Sequence, residues 1–118
     1  MDHFGDAPKL LRDFLTYHET IKGHSQKTVD EYYLDLRTFF RYLKISRGLV
    51  PRSTELEDIP IDDVDLDFVS AVTLAEVYDF LSYLSRDRVK NARSRYAEYG
   101  LTANARARKI ATIRSFYK

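Results

Sequence analysis

The spacing of apolar residues along the chain predicts a series of helices. Apolar side chains recur every three to four positions between Leu10 and Ile21, which is the period of one face of an α-helix. Pro8 suits the first turn of this helix, and Gly23 suits the position just after its end. A first helix is therefore expected between these two residues.

A second, longer helix is predicted from Gln26 to about Ser46, capped by Ser25 and ended by Gly48. At 1.5 Å per residue it should be about 30 Å long. Its apolar stripe comprises Val29, Tyr32, Tyr33, Leu36, Phe39, Phe40 and Leu43. The opposite face is predicted to carry Lys27, Glu31, Leu34, Thr38 and Arg41, with Arg37 and Lys44 flanking.

The helical pattern stops between Leu49 and about Val64. Seven acidic residues and no basic residue lie between Ser53 and Asp67, which predicts a solvated loop that repels DNA. The glycine and the final glutamate of an EF-hand are missing, so the pattern does not favour calcium binding. Leu66, Phe68 and Val69 are predicted to form a short turn on the core.

A third helix is predicted to start at the capping box Thr73-Leu74-Ala75-Glu76 and to run to about Val89. Its expected buried residues are Leu74, Val77, Tyr78, Phe80, Leu81 and Leu84. Residues 90–101 are polar and basic and are predicted to link it to a last helix.

That last helix follows Gly100-Leu101, with Thr102 as a plausible N-cap. The predicted docking stripe is Ala103, Ala107, Ile110, Ile113 and Tyr117. The predicted opposite stripe is Asn104, Arg108, Thr112 and Ser115, with Lys109 and Ala105 at its border. Short polar side chains beside cations, without any carboxylate, favour close approach to an anionic groove, although a merely solvated basic face is the alternative.

Composition supports one all-α domain. An apolar content of 44% with 9 Tyr and 7 Phe is sufficient for a core, while four glycines and three prolines leave few turns. No convincing strand pattern occurs, so the expected fold is a small bundle of four main helices over residues 1–118. The absence of cysteine, of a long apolar run and of a signal peptide indicates a cytoplasmic protein without a membrane segment.

Charge is distributed unevenly along the chain. Residues 1–85 carry 9 Lys/Arg against 16 Asp/Glu, whereas residues 86–118 carry 10 against 2. Such asymmetry is typical of a protein that meets an anionic partner with one part of its surface. The last helix has too few large apolar residues on its free face to enter a lipid surface, so nucleic acid is the favoured partner.

Residues that could perform catalysis or hold a metal are not recognisable. There is no Gly-x-Ser-x-Gly motif, no cysteine and no glycine-rich phosphate loop. His18 and His24 have no further ligand at metal-site spacing. We therefore expect no enzymatic activity in this chain, no metal and no cofactor.

The start of the second helix is a candidate phosphate site. Ser25, Lys27 and Thr28 combine hydroxyls, a cation and free backbone N–H groups, which suits a phosphate. An ordinary helix cap accounts for the same residues without a ligand.

The order of motifs resembles the tyrosine recombinase (phage integrase) family, over about residues 8–118. The pattern Ser25-x-x-Thr28-x-x-x-Tyr32-x-x-Asp35-Leu36, after Phe14-Leu15, looks like the start of that family. The stretches 72–84 and 108–118 are similar to later segments of its Xer-type members. Glu31, on the predicted exposed face, and the basic stretch 93–99 depart from the pattern.

The resemblance implies an N-terminal core-binding domain, a SAM-like orthogonal helical bundle that clamps one face of duplex DNA. It also implies a separate catalytic domain beyond Lys118, and other recombinase protomers as partners of the full-length protein. The isolated domain is expected to be monomeric. The expected DNA-binding residues are Ser25, Lys27, Thr28, Arg41, Asn104, Arg106, Arg108, Lys109 and Thr112. A helical protein-interaction module without DNA binding is the alternative.

Overall fold

A computed structural model describes residues 5–90 and 103–117, with the backbone alone for residues 85–90 and 103–106. The described part of the chain contains α-helices, one π turn and one 3-10 turn, and no strand, so the predicted all-α class is confirmed. The chain forms two compact units, Met1–Ala71 and Val72–Lys118. The orthogonal arrangement of four main helices in one domain stays a prediction.

The first unit begins with helix α1, Lys9–Thr16, which continues directly into a π-helical turn, Tyr17–Ile21. Leu11 and Leu15 form its buried stripe, as the spacing predicts. Pro8 occupies the N-cap position, where its missing N–H costs nothing. The π turn was not indicated by the sequence, because the apolar period does not distinguish one i→i+5 turn from an α-helical turn.

Helix α2, Gln26–Ser46, agrees with the prediction at both ends. The Ser25 hydroxyl accepts a hydrogen bond from the backbone N–H of Thr28 at 3.2 Å, which is an N-cap. Gly23 and Gly48 follow the ends of the first two helical segments with φ of +70° and +72°. Since side chains other than glycine rarely adopt that conformation, these residues end the helices where predicted.

The core of the first unit is centred on α2. Its fully buried side chains include Val29, Leu36, Phe39, Phe40 and Leu43. Helix α1 packs on its N-terminal half, with the rings of Phe14 and Tyr32 5.9 Å apart. Each such apolar side chain contributes about 1.5–3 kcal/mol by leaving water, so α2 carries much of the stability of this unit.

The chain after α2 packs against the C-terminal half of that helix, where Arg41, Lys44 and Arg47 bond to Ile59, Pro60 and Phe68 in the same order. A 3-10 turn, Leu56–Asp58, precedes an irregular segment with a turn at residues 62–63, in which Ile59, Ile61 and Val64 are buried. Helix α3, Leu66–Ser70, is capped by Asp65 and buries Val69, while Leu66 is exposed. The predicted turn therefore exists, but Leu66 does not pack on the core as expected.

The second unit contains helix α4, Leu74–Lys90, and helix α5, Ala103–Phe116. The capping box of α4 is present as predicted: the N–H of Thr73 donates to the Glu76 carboxylate at 3.0 Å, and the N–H of Glu76 donates to the Thr73 hydroxyl at 3.2 Å. Phe80 and Leu84 are buried.

The predicted buried face of α4 is wrong at two positions. Leu74 and Tyr78, four residues apart, are exposed. Leu74 lies in the first turn, where apolar period alone does not decide whether a residue reaches the core. In the described part of the chain, no helix is both long and apolar enough to cross a membrane.

Candidate nucleic-acid interface

The first turn of α2 presents polar groups without an acidic side chain. The Ser25 and Thr28 hydroxyls lie 3.1 Å apart, and Lys27 is exposed beside them. The first turn of this helix contains no carboxylate, so the positive end of the helix dipole is not neutralised there by an acidic residue. The three residues that the sequence singled out are thus brought together, with the cap bond between Ser25 and Thr28 already made.

Helix α5 exposes arginine and alanine on one face. The exposed residues in its described side chains are Ala107, Arg108, Ala111 and Arg114. Two arginines separated by small side chains allow the helix backbone to approach a partner closely. Arg108 lies on the surface, as predicted, whereas Arg114 belongs to the same exposed face and was not among the expected binding residues.

Two expected contact residues of α5 are buried instead. Thr112 is 1% exposed and Lys109 is 6% exposed, so the predicted placement of Thr112 on the free face and of Lys109 at its border is wrong. The Thr112 hydroxyl donates to the Arg108 carbonyl oxygen at 3.0 Å. This bond satisfies the hydroxyl within the helix and leaves the threonine methyl to pack as an apolar group.

The buried stripe of α5 therefore differs from the predicted one. Lys109, Thr112, Ile113 and the half-buried Phe116 follow the spacing of one helix face. The long aliphatic stem of a lysine can cover apolar surface while its ammonium group reaches outward. The prediction treated lysine and threonine as polar throughout, and for that reason it chose a stripe rotated around the helix, which wrongly included Ala107 and Tyr117.

Asn104 and Arg106 lie in the part of α5 for which only the backbone is described. Their expected role in DNA binding stays a prediction. The predicted N-cap at Thr102 and the basic stretch 93–99 lie outside the described residues.

Arg41, the remaining expected contact residue, takes part in a polar cluster of the first unit. Its Nε donates to the Ile59 carbonyl oxygen at 2.8 Å, and its Nη2 lies 3.7 Å from Asp6 Oδ2. Arg37 Nη1 lies 3.9 Å from the same carboxylate oxygen and donates to Tyr33 Oη at 3.3 Å. The Tyr33 hydroxyl donates to Asp6 Oδ1. Arg41 is therefore largely covered, not displayed on an open face.

Positive charge in this cluster exceeds negative charge. Burial lowers the pKa of Arg41, and the neighbouring guanidinium of Arg37 lowers it further, while Asp6 opposes both effects. Burial and the hydrogen bond to Asp6 raise the pKa of Tyr33. The Arg37 guanidinium also lies over the Tyr33 ring, 5.0 Å from its centroid. Asp6 is thus the carboxylate within salt-bridge distance of both arginines, and Glu57 adds a weaker negative charge near Arg41.

A second buried cation corrects the description of the acidic loop. Lys44, predicted to flank the exposed face of α2, is buried; its Nζ donates to the Pro60 carbonyl oxygen at 2.7 Å and to Asp63. This bond to Lys44 lowers the pKa of Asp63. The loop is therefore more than a solvated segment: Asp63, although exposed, links it to α2 through Lys44, and Glu55, Glu57, Asp58 and Asp62 are exposed as well.

His18, within the π turn, and His24, three residues after its end, belong to an aromatic cluster. The rings of His18 and His24 stack at 5.2 Å, and His18 packs edge-on against Tyr32 at 5.1 Å. Burial, followed by the nearby His24 and Lys22, lowers the pKa of His18. Within the described residues, no group of three or more histidine, cysteine or acidic side chains could hold a metal ion.

These features define a chain that is all-α in its described part, in which α5 exposes arginine and α2 begins with an uncharged hydroxyl cap. The chain is 39% identical, over 110 residues and 93% of its length, to tyrosine recombinase XerC of Caldanaerobacter subterraneus subsp. tengcongensis. This similarity confirms the resemblance to the tyrosine recombinase family. The chain spans 28% of the length of that relative. No family model and no solved structure matches the chain.

Proposed function

We propose that this chain is a non-catalytic, duplex-DNA-binding part of a site-specific tyrosine recombinase. The observation that carries the proposal is the 39% identity to a tyrosine recombinase over nearly the whole chain, which accounts for only 28% of that relative. A segment of this size corresponds to one domain. DNA cutting and rejoining would then be carried out elsewhere in such a recombinase.

Two surfaces are proposed to contact DNA. The first turn of α2, with Ser25, Lys27 and Thr28, would bind backbone phosphate, because hydroxyls, an ammonium group and helix N–H groups all favour an anion. Arg108 of α5 would bind a guanine edge or a phosphate, with Asn104 and Arg106 contributing from the same helix. Lys109 and Thr112 support the helix from its buried side, and Arg41 belongs to the cluster around Asp6 and not to either of these two surfaces.

Anisotropy titrations with a labelled duplex test this proposal. Arg108→Ala should weaken binding by about 1–3 kcal/mol and relax the preference at one base pair if Arg108 reads a base. Lys27→Ala should weaken binding to all sequences alike and lower the log–log salt slope by roughly one. Lys9→Ala is the matched control for Lys27, because Lys9 is an exposed lysine that pairs with Asp13 on α1.

Melting curves recorded alongside should show little change, because Lys27 and Arg108 are exposed. Unchanged DNA affinity in the folded Lys27→Ala/Arg108→Ala double variant would exclude the proposed interface.

The exposed apolar residues of α4 favour a second candidate, a protein-interaction surface. Leu74 and Tyr78 are four residues apart and expose about two thirds of their surface, at 66% and 62%. Apolar side chains at this spacing fit a helical partner, such as another recombinase protomer. Binding through this face would depend little on salt and would be lost on changing both residues to serine, whereas the DNA interface would be unaffected.

A further inference from the structure

The cluster around Asp6 has the composition of an oxyanion site that is already filled. The two oxygens of the Asp6 carboxylate meet three donor groups between them: Oδ1 accepts from the Tyr33 hydroxyl, and Oδ2 faces Arg37 and Arg41 at 3.9 and 3.7 Å. Guanidinium groups and hydroxyls are the donors that proteins use for phosphate. The carboxylate occupies the position that a phosphate oxygen would take among them.

The donors are held in place independently of Asp6. Tyr33 is buried, with 7% of its surface exposed, and Arg37 lies against its ring. Arg41 is fixed by its bond to the Ile59 carbonyl oxygen. Since Tyr33, Arg37 and Arg41 are spaced four residues apart on α2, they lie along one face of a rigid helix. The site would keep its shape if the carboxylate left.

Asp6, which carries this carboxylate, lies in the short segment that precedes α1. Ala7 and Pro8, the next two residues, are buried, and Arg12 donates to the carbonyl oxygens of Ala7 at 3.0 Å and Gly5 at 3.3 Å. The side chain of Asp6 retains 35% exposure. A rotation about its own side-chain bonds can therefore withdraw the carboxylate while the backbone stays anchored.

Charge favours replacement of this carboxylate by a phosphate. Asp6 supplies one negative charge to two guanidinium groups that repel each other, and Glu57 acts on Arg41 through space. Inorganic phosphate offers a further oxygen and, as a dianion, a further charge, whereas a DNA phosphodiester matches the carboxylate with two free oxygens and one charge. We propose that Tyr33, Arg37 and Arg41 form a phosphate-binding site on α2, and that Asp6 occupies it as an internal competitor. The phosphate is that of a DNA backbone or free inorganic phosphate. The DNA form of the proposal rests on the proposed function.

Thermal melting in phosphate and in chloride, at equal ionic strength, tests the site directly. Asp6→Ala should melt below the wild type in chloride, because two arginines lose their counter-ion. Phosphate at several times its Kd should raise the Tm of Asp6→Ala by about 3–6 °C and that of the wild type much less. Asp13→Ala, which removes an exposed carboxylate of α1, should respond as the wild type does.

Two further variants keep the test decisive. Asp6→Asn retains the size of the side chain and an acceptor for the Tyr33 hydroxyl, so it serves if Asp6→Ala does not fold. Arg37→Gln, added to either variant, should abolish the response to phosphate. The proposal is overturned if phosphate stabilises the Asp6 variants no more than the wild type, or if Arg37→Gln leaves the response intact.

DNA titrations separate the two sources of phosphate. If a backbone phosphate enters the site, Asp6→Ala should bind a duplex about twofold to fivefold more tightly than Asp13→Ala, the range expected for one partly screened charge pair. If phosphate raises the Tm of Asp6→Ala but the variant binds the duplex no more tightly, the site is assigned to free phosphate and the DNA source is ruled out. Loss of DNA binding in Lys27→Ala and Arg108→Ala, with no effect of Asp6→Ala in either assay, leaves the DNA proposal standing and refutes the site.

Discussion

Asp62 and Asp63 are neighbours in the sequence, yet they differ in the structure: Asp63 accepts a hydrogen bond from the buried ammonium group of Lys44, whereas Asp62 is a solvent-exposed residue of the acidic loop. Residues of the same type therefore differ in what their removal would cost. Lys44 Nζ has two hydrogen-bond partners here, the Asp63 carboxylate and the Pro60 carbonyl oxygen. Removing the carboxylate leaves the buried ammonium group with the Pro60 oxygen and without its opposite charge. The distinction is invisible in the sequence, where both belong to one run of acids.

Asp63→Asn should lower the free energy of unfolding by about 1–2 kcal/mol, because a charged hydrogen bond to a buried lysine is weakened while Asp63 itself is exposed to screening. Asp62→Asn, the matched control, should change it by less than about 0.5 kcal/mol. Urea denaturation measures both. Equal effects would contradict the assigned role of Asp63.

The pH dependence of this contribution follows from the sign of the shift. The pKa of Asp63 is lowered from its ordinary value of 3.8, so its stabilisation is complete above that value. The stabilisation is lost as the pH falls from there through the lowered folded-state pKa. The difference between the wild type and Asp63→Asn should therefore disappear in strong acid.

His18 provides a prediction of its own. Its pKa is lowered from 6.5 by burial, so the unfolded chain binds a proton more readily than the folded chain. Stability should be complete above pH 6.5 and should fall as the pH drops from 6.5 towards the lowered folded-state pKa. His18→Phe should remove this loss, whereas His24→Gln should keep most of it, as Tm measured between pH 7.5 and 5 would show. An identical pH profile for wild type and His18→Phe would refute this assignment.

At the scale of the element, the positions of the helix ends were predicted from the residues beside them. The caps at Ser25 and Thr73 and the glycines after the first two helical segments were predicted correctly, because each depends on a few residues adjacent in sequence. Helix faces were less predictable. The side of α5 that is buried depended on how Lys109 and Thr112 pack, which pattern alone does not encode.

Gly48 allows the free-energy cost of a left-handed residue at a helix end to be measured. Its φ is +72°, and a Cβ atom there would meet nothing within 4 Å. Gly48→Ala should therefore destabilise by about 1 kcal/mol through backbone conformation alone. Gly48→Asn should cost less, because asparagine tolerates the left-handed region better. If alanine and asparagine cost the same in chemical denaturation, steric or solvent effects at this turn have been overlooked.

At the scale of the whole chain, the sequence predicted the all-α class and the resemblance to tyrosine recombinases, since both depend on patterns spread over many residues. It did not predict the cluster of Asp6, Tyr33, Arg37 and Arg41. That cluster joins residues 27 positions apart through side-chain geometry, for which no local signal exists. Charge asymmetry along the chain was read directly from composition and bears on the proposed DNA binding.

Neutralising the exposed acids of the loop should strengthen non-specific DNA binding. The changes are Glu55→Gln, Glu57→Gln, Asp58→Asn and Asp62→Asn, with Asp63 retained because it binds Lys44. Removing four negative charges reduces long-range repulsion of the phosphate backbone, by an amount that salt screens over about 10 Å at 0.1 M. Anisotropy should show tighter binding at low salt and convergence with the wild type at high salt. Weaker binding by the variant would indicate that the loop contacts DNA or a cation.

The attachment of the acidic loop to α2 also determines how the chain should respond to a protease. Arg52 is exposed, and the next lysine or arginine in the sequence is Arg86. Trypsin can therefore cut after Arg52 and then at no residue before Arg86. Cleavage there should not release the loop. The bonds of Arg41, Lys44 and Arg47 to Ile59, Pro60 and Phe68 would hold the two fragments together. A chain nicked once after Arg52 should therefore elute intact from a sizing column and separate into two pieces only in denaturant.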